Sequence, residues 1–266
     1  MTDEILSKIK QLPPLPESAM KIETVYQNPD STFNDMVEIL EKDPLLTADI
    51  LKAANSPLYG FSREINAISQ AVGLFGMGTV RGFALASIVK KSFVLDLSAY
   101  GINDEMFSAK SKVQHALMTS WCIRKENKLL GVLSPAAFLV EIGKVLIAQQ
   151  IMDENAQEAF RDALAELQNV EEAEKKITGV TTVEVSAFIF EHWRFEESLV
   201  NVIRHSLNPE LADEKDQRAA KILHVVRTAV PLNGVITDES VEAAQDLIKK
   251  YSLDMESFDK AIENAR

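Results

Sequence analysis

Residues 134–150, SPAAFLVEIGKVLIAQQ, decide how the rest of the chain is read. Ser134 is a good N-cap, and Pro135 suits the first helical position, where its missing N–H costs nothing. From Ala136 to Ala148 nearly every residue is apolar, so the pattern predicts a helix buried on all sides. Its length and polar flanks argue against a bilayer span. The expectation is the central helix of an all-α protein, with the other helices packed around it. One carboxylate, Glu141, interrupts the apolar run just ahead of Ile142-Gly143-Lys144. A carboxylate there either lines a polar site or reaches solvent through a gap in the packing, and the functional question turns on which.

Working outward, helical periodicity dominates and no alternating β-branched run demands a strand. On the N-terminal side, short helices are expected over 1–10, 17–26, 32–41 and 43–54. Thr32 and Asp43 cap the last two, and Pro44 opens the fourth. Asn55-Ser56-Pro57 stops that helix, and Pro57-Leu58-Tyr59-Gly60-Phe61 reads as an exposed loop. Asn66 opens a helix that breaks at Gly76 and Gly78 and resumes over 79–93. Residues 96–103 (DLSAYGIN) look like a joint between two helical lobes. A long helix over about 104–128 then leads into the central one. Beyond it, 153–177 reads as one or two amphipathic surface helices, and Thr181-x-x-Glu184 as a capping box for a helix ending at Trp193. Shorter helices over 196–204, 215–230, 238–251 and 257–264 complete the chain.

The totals narrow the function. The chain has 266 residues, 46% hydrophobic and 26% charged, as ordinary globular proteins have. A net charge of −12 without a dense Lys/Arg run argues against gripping nucleic-acid phosphates. The single cysteine, Cys122, excludes an internal disulfide and a thiolate zinc cluster, and its apolar neighbours make it a core residue. MTDEILSKIKQLPPLP has no signal-peptide core, and no stretch is read as a membrane span, so a cytoplasmic location and no membrane partner are expected. Trp121 and Trp193, at helical spacing among apolar residues, read as core. No G-x-S-x-G elbow is present, and Lys144 lacks the glycine-rich loop of a phosphate cradle.

Several segments together resemble the HDOD family, bacterial output domains related to the HD metal-dependent phosphohydrolases. They are LPPLPESAMKI near the start, DPLLTADILKAANSPLYG at 43–60, INAISQAVGLFGMGTVRGFALA at 65–86, FLVEIGKVLI, EVSAFIFEHW at 184–193 and VIRHSLNPE at 202–210. The resemblance implies an all-α, HD-like multi-helical bundle with an N-terminal helical lobe packed against it. Residues 1–95 would form that lobe, 103–210 the HD-like lobe with a degenerate metal site, and 211–266 a C-terminal helical extension too short to be a receiver or a second catalytic domain. It also implies a signalling or regulatory role, often without catalysis.

An HD phosphohydrolase holds one or two divalent cations through histidines and aspartates. By the resemblance, its His-Asp pair falls on Val140 and Glu141, and Val140 cannot ligate. The earlier histidine is His115, and the later double histidine survives as His205 followed by Ser206. The histidine expected before EVSAF is replaced within Thr181–Val183, and the late aspartate falls near Arg227, a cation that would repel a metal. His115, Glu141, His205 and Arg227 are therefore the remnant-pocket candidates. The favoured expectation is a polar cluster in which Glu141 pairs with Arg227 or His115, with no cofactor and no metal. His115 then reads as a hydrogen-bonded core histidine, and His205 as a capping or solvated residue at a helix end. The alternative is a divergent metal-dependent phosphodiesterase holding a divalent metal on His115, Glu141 and His205. For the regulatory reading, a protein partner in a signalling pathway is expected, with a small ligand in the remnant pocket as the lesser option. Asn55, Pro57, Leu58, Tyr59 and Phe61 are the interaction-surface candidates.

Overall fold

A computed structural model describes residues 3–266. Helices α1 (Asp3–Lys10), α2 (Glu17–Gln27), α3 (Phe33–Glu41), α4 (Pro44–Ala54) and α5 (Ile68–Lys91) form the N-terminal half. Next come α6 (Asp104–Cys122), α7 (Leu130–Leu139), α8 (Gly143–Asp153), α9 (Gln157–Leu167), α10 (Val170–Thr178), α11 (Thr182–His192) and α12 (Glu197–Arg204). The chain closes with α13 (Gln217–Ala229), α14 (Asp238–Tyr251) and α15 (Met255–Ala265). No strand occurs among the described residues, so the chain is all-α as expected. Of the helix expected over 1–10, Met1 and Thr2 lie outside the described residues.

Local signals explain several helix starts. Thr32 and Asp35 form a reciprocal capping box, Asp43 accepts from the Leu45 and Leu46 N–H groups, and Thr181 with Glu184 caps α11. The helix expected to break at Gly76 does lose helical geometry at that residue, and the chain kinks there between two helical segments of α5. The Gly76 φ of 79° lies in a region that glycine enters without the penalty of a Cβ.

The central stretch differs from its reading. The helix begins at Leu130, so Ser134 is inside it and buried rather than capping it, and Pro135 is an interior proline. Proline cannot donate to the carbonyl four residues back, which frees Gly131 C=O. That oxygen accepts from Arg81 Nη1 at 3.0 Å. The helix also stops at Leu139 and restarts at Gly143. The Ser186 hydroxyl of α11 is the cause: it donates to Val140 C=O at 2.7 Å and accepts from Gly143 N–H at 2.8 Å, entering the helical ladder. Gly143 is needed there, because a Cβ would lie 2.8 Å from Ser186 N. Glu141 thus projects from a tight turn between two helices, not from the flank of one.

Residues 68–91 and 127–153 do reach membrane-span length and apolarity, contrary to the sequence reading, but 61% and 83% of their most apolar windows are buried inside the molecule. Both are core helices, and α5 crosses α7 closely. Trp121, Cys122 and Trp193 are buried, and burial pushes the Cys122 thiol pKa up. Within 96–103, Leu97, Ala99 and Tyr100 are buried around a short 3-10 turn.

Candidate functional site

Glu141 is fully buried, and what faces it is a set of cations. Arg227 Nε of α13 donates to Oε1 at 2.9 Å, and Lys110 Nζ of α6 stands 3.4 Å from the same oxygen. Lys144 Nζ, one turn along on α8, stands 3.2 Å from Oε2. Gln114 Nε2 reaches Oε1 at 3.4 Å. Burial by itself would raise the carboxyl pKa, but the attraction of Arg227, Lys110 and Lys144 outweighs it and holds Glu141 well below the ordinary carboxylate range.

The cations are balanced in turn from α10. Arg227 Nη2 donates to Glu171 at 2.7 Å, and Lys144 Nζ donates to Glu174 at 3.0 Å. Glu174 also accepts from the Tyr100 hydroxyl at 2.9 Å and from the Thr182 hydroxyl and N–H, each at 2.6 Å. Three carboxylates therefore meet three cations, which is how buried charge is tolerated. Burial depresses Lys110 below the usual lysine range, whereas Lys144 is pulled above it because Glu174 and Glu141 overcome the burial penalty.

His115 belongs to a different network. Its Nδ1 lies 2.6 Å from the Tyr59 hydroxyl and its Nε2 lies 2.7 Å from Ser134 Oγ. Ser134 Oγ donates to Thr79 C=O at 3.3 Å, since a carbonyl can only accept. Ser134 must then accept from a protonated Nε2, leaving Nδ1 to accept from Tyr59. One neutral tautomer satisfies every bond. The ring stacks on Phe138, with centroids 4.0 Å apart, and complete burial lowers its pKa to about 3.

The structure thus joins Glu141 to Arg227 and keeps both apart from His115. His205 is a half-buried C-cap residue of α12, with its pKa lowered by burial and by Arg204. Among the described residues, no three His, Cys, Asp or Glu side chains converge as a metal would need. The donor set does not fit a divalent cation either, because a carboxylate already enclosed by two lysines and an arginine cannot offer a metal an uncontested oxygen.

The 55–61 loop is also less open than its sequence implies. Asn55 clamps it shut, donating to Leu51 and Ile65 carbonyls at 2.9 and 2.8 Å and accepting from Ile65 N–H at 2.8 Å. Tyr59 turns inward to His115. Pro57 and Phe61 stay exposed and Leu58 is half-buried, with Phe61 edge-on to Phe75 at 5.2 Å.

Sequence reading missed Lys110, Lys144, Glu171 and Glu174 as members of the cluster. Lys144 had a signal, since residues three apart share a helical face. Lys110, Glu171 and Glu174 had none, because their helices meet Glu141 only in three dimensions.

The all-helical bundle, with a polar cluster at the turn of its central helix pair, shares the HD-like fold of solved structures. The HDOD domain's sequence profile matches residues 12–209, and the chain belongs to the HDOD family. The structure is similar to a protein of Shewanella amazonensis SB2B, provisionally named a phosphohydrolase, at a TM-score of 0.74 and 24% identity over 99% of this chain and 94% of that one. It is also similar to an HDOD domain protein of unknown function from Geobacter sulfurreducens, at a TM-score of 0.71 and 19% identity over 98% and 93%. An uncharacterised Treponema pallidum (strain Nichols) protein is 33% identical over 73 residues, which are 27% of this chain and 14% of that relative's length. The match therefore spans about a seventh of that relative.

Proposed function

We propose that this chain is a regulatory module that acts by binding a protein partner and does not hydrolyse phosphoesters. The observation that supports this reading is the ring of Lys110, Lys144 and Arg227 around Glu141. By the family resemblance, Glu141 stands where a phosphohydrolase has its metal-binding aspartate. Here its charge is spent on cations of the same chain, and the position beside it is Val140, which has no donor. The remnant pocket becomes a tie among α6, α8, α10 and α13. Pro57, Leu58 and Phe61 are the surface offered to the partner, because Asn55 holds their loop in one shape.

The test is elemental mass spectrometry of untagged protein purified without chelators, together with hydrolysis of bis(p-nitrophenyl) phosphate in added manganese, iron, nickel or zinc. Metal far below one equivalent and no hydrolysis above buffer is the expected result. Near-stoichiometric metal, with hydrolysis that is lost in Glu141→Gln and in His115→Ala, would overturn the reading in favour of a divergent HD phosphodiesterase.

A further inference from the structure

Apart from the charge cluster, α4, α5, α6 and α7 enclose a cleft of about 790 Å³, a size typical of small-molecule sites. Its inner wall is mainly apolar, with Ser111 a buried polar member whose hydroxyl donates to Phe107 C=O. Phe83, Phe107, Leu139 and Ile142 are buried there, and Phe138 and Tyr59 line it with His115 behind them. Glu141 is not part of this lining.

The solvent side has the opposite chemistry. Lys52, Lys90, Lys91 and Lys112 stand there against Asp49 and Asp104, four positive charges to two negative, on a chain whose net charge is −12. Lys91 is held by Asp49 at 2.7 Å, and Lys90 donates to Ser108 at 2.5 Å. Among the described residues, Lys52 and Lys112 are exposed and belong to no ion pair. An apolar interior behind a positive mouth complements a molecule with a hydrocarbon body and a single anionic head. A nucleotide would ask the inner wall for base-pairing groups that its side chains do not carry.

We propose that this cleft binds an acyl-chain carboxylate, with the chain against the phenylalanine wall and the carboxylate at Lys52 and Lys112. The proposal is independent of whether the Glu141 cluster holds a metal. Because Phe138 stacks on His115 and Tyr59 donates to it, filling the cleft would also shift the His115 ring resonances.

The probe is dodecanoate, kept below its micelle concentration and titrated into the full chain by calorimetry at neutral pH, with 1-dodecanol as the uncharged control. Expected is saturable one-to-one binding of dodecanoate, about tenfold tighter than the alcohol, together with a shift of the His115 nitrogen resonances. In Lys52→Glu/Lys112→Glu, both substitutions at exposed positions, that preference for the carboxylate should vanish. In Ala86→Trp, which fills the cleft, neither probe should bind. No saturable binding to the unaltered chain would overturn the proposal. So would equal dodecanoate affinity in the unaltered and double-lysine variants, which would mark non-specific adsorption.

Discussion

His115 shows how little a residue's type says about its work until its partners are known. The Tyr59–His115–Ser134–Thr79 chain of bonds holds the imidazole neutral with its proton on Nε2. Nitrogen-detected NMR should find that tautomer, unprotonated down to about pH 4; an imidazole titrating near 6.5 would contradict the geometry. The stability consequence has a definite sign. An unfolded histidine titrates near 6.5 and the folded one near 3, so between those values the unfolded state binds the extra proton. Stability is therefore full above about 6.5 and falls as pH drops toward 3, by up to about 1.4 kcal/mol per pH unit for this one group. Urea unfolding across that range should show a shallower slope in His115→Gln. Glu141 carries an effect that is already present at neutral pH. Glu141→Ala leaves Lys110, Lys144 and Arg227 facing only Glu171 and Glu174, and the cost of stranding buried charge is about 3–5 kcal/mol. An unchanged urea midpoint would sink the view that the cluster is structural.

Among elements, the α5–α7 crossing holds the N-terminal helices to the centre. Arg81 of α5 is wholly buried and donates through Nε and Nη2 to Glu23 of α2, at 2.6 and 2.7 Å, while Nη1 takes the Gly131 carbonyl left free by Pro135. One guanidinium thereby ties α2, α5 and α7, using the fork that lysine lacks. The crossing is close enough that a Cβ on Gly82 would lie 3.0 Å from the Ser134 carbonyl carbon and 3.1 Å from Pro135 N, and closer still to the Ser134 hydroxyl. Gly82→Ala should therefore destabilise by about 1–3 kcal/mol, as overpacking of a tight core does, although alanine is the better helix former. A gain in thermal midpoint would show that the helices can separate without loss. The same variant should disturb His115, whose Nε2 bond ends on Ser134.

At the scale of the whole molecule, the helices beyond the family match pack against those within it. Residues 12–209 carry the HDOD profile, yet Arg227 comes from α13. From the end of the chain, α15 packs on α6. Trp121 Nε1 donates to Asp254 C=O at 2.9 Å, and the Trp121 ring meets Phe258 edge-on at 5.2 Å. A chain cut after residue 210 should lose cooperative urea unfolding and expose Trp121, visible as a red shift of its fluorescence. A truncated chain with a sharp transition and an unshifted spectrum would show that 211–266 is a dispensable extension.

The all-helical class, the caps at Thr32, Asp43 and Thr181, and the buried centre around 136–148 were legible in the sequence. Each follows from neighbours within one or two turns: a cap bonds three residues away, and an apolar run is apolar wherever it folds. The break at Glu141 was not, because it is made by Ser186, forty-five residues on. Nor was the division of the candidate residues into two networks. His115 and Glu141 both sit among apolar residues, and only packing sends one to Tyr59 and Ser134 and the other to Lys110 and Arg227. The number of charged residues is set by composition, but which of them are buried, and which neutralise one another, depends on ångström-scale distances between separate helices, and tertiary structure alone decides those.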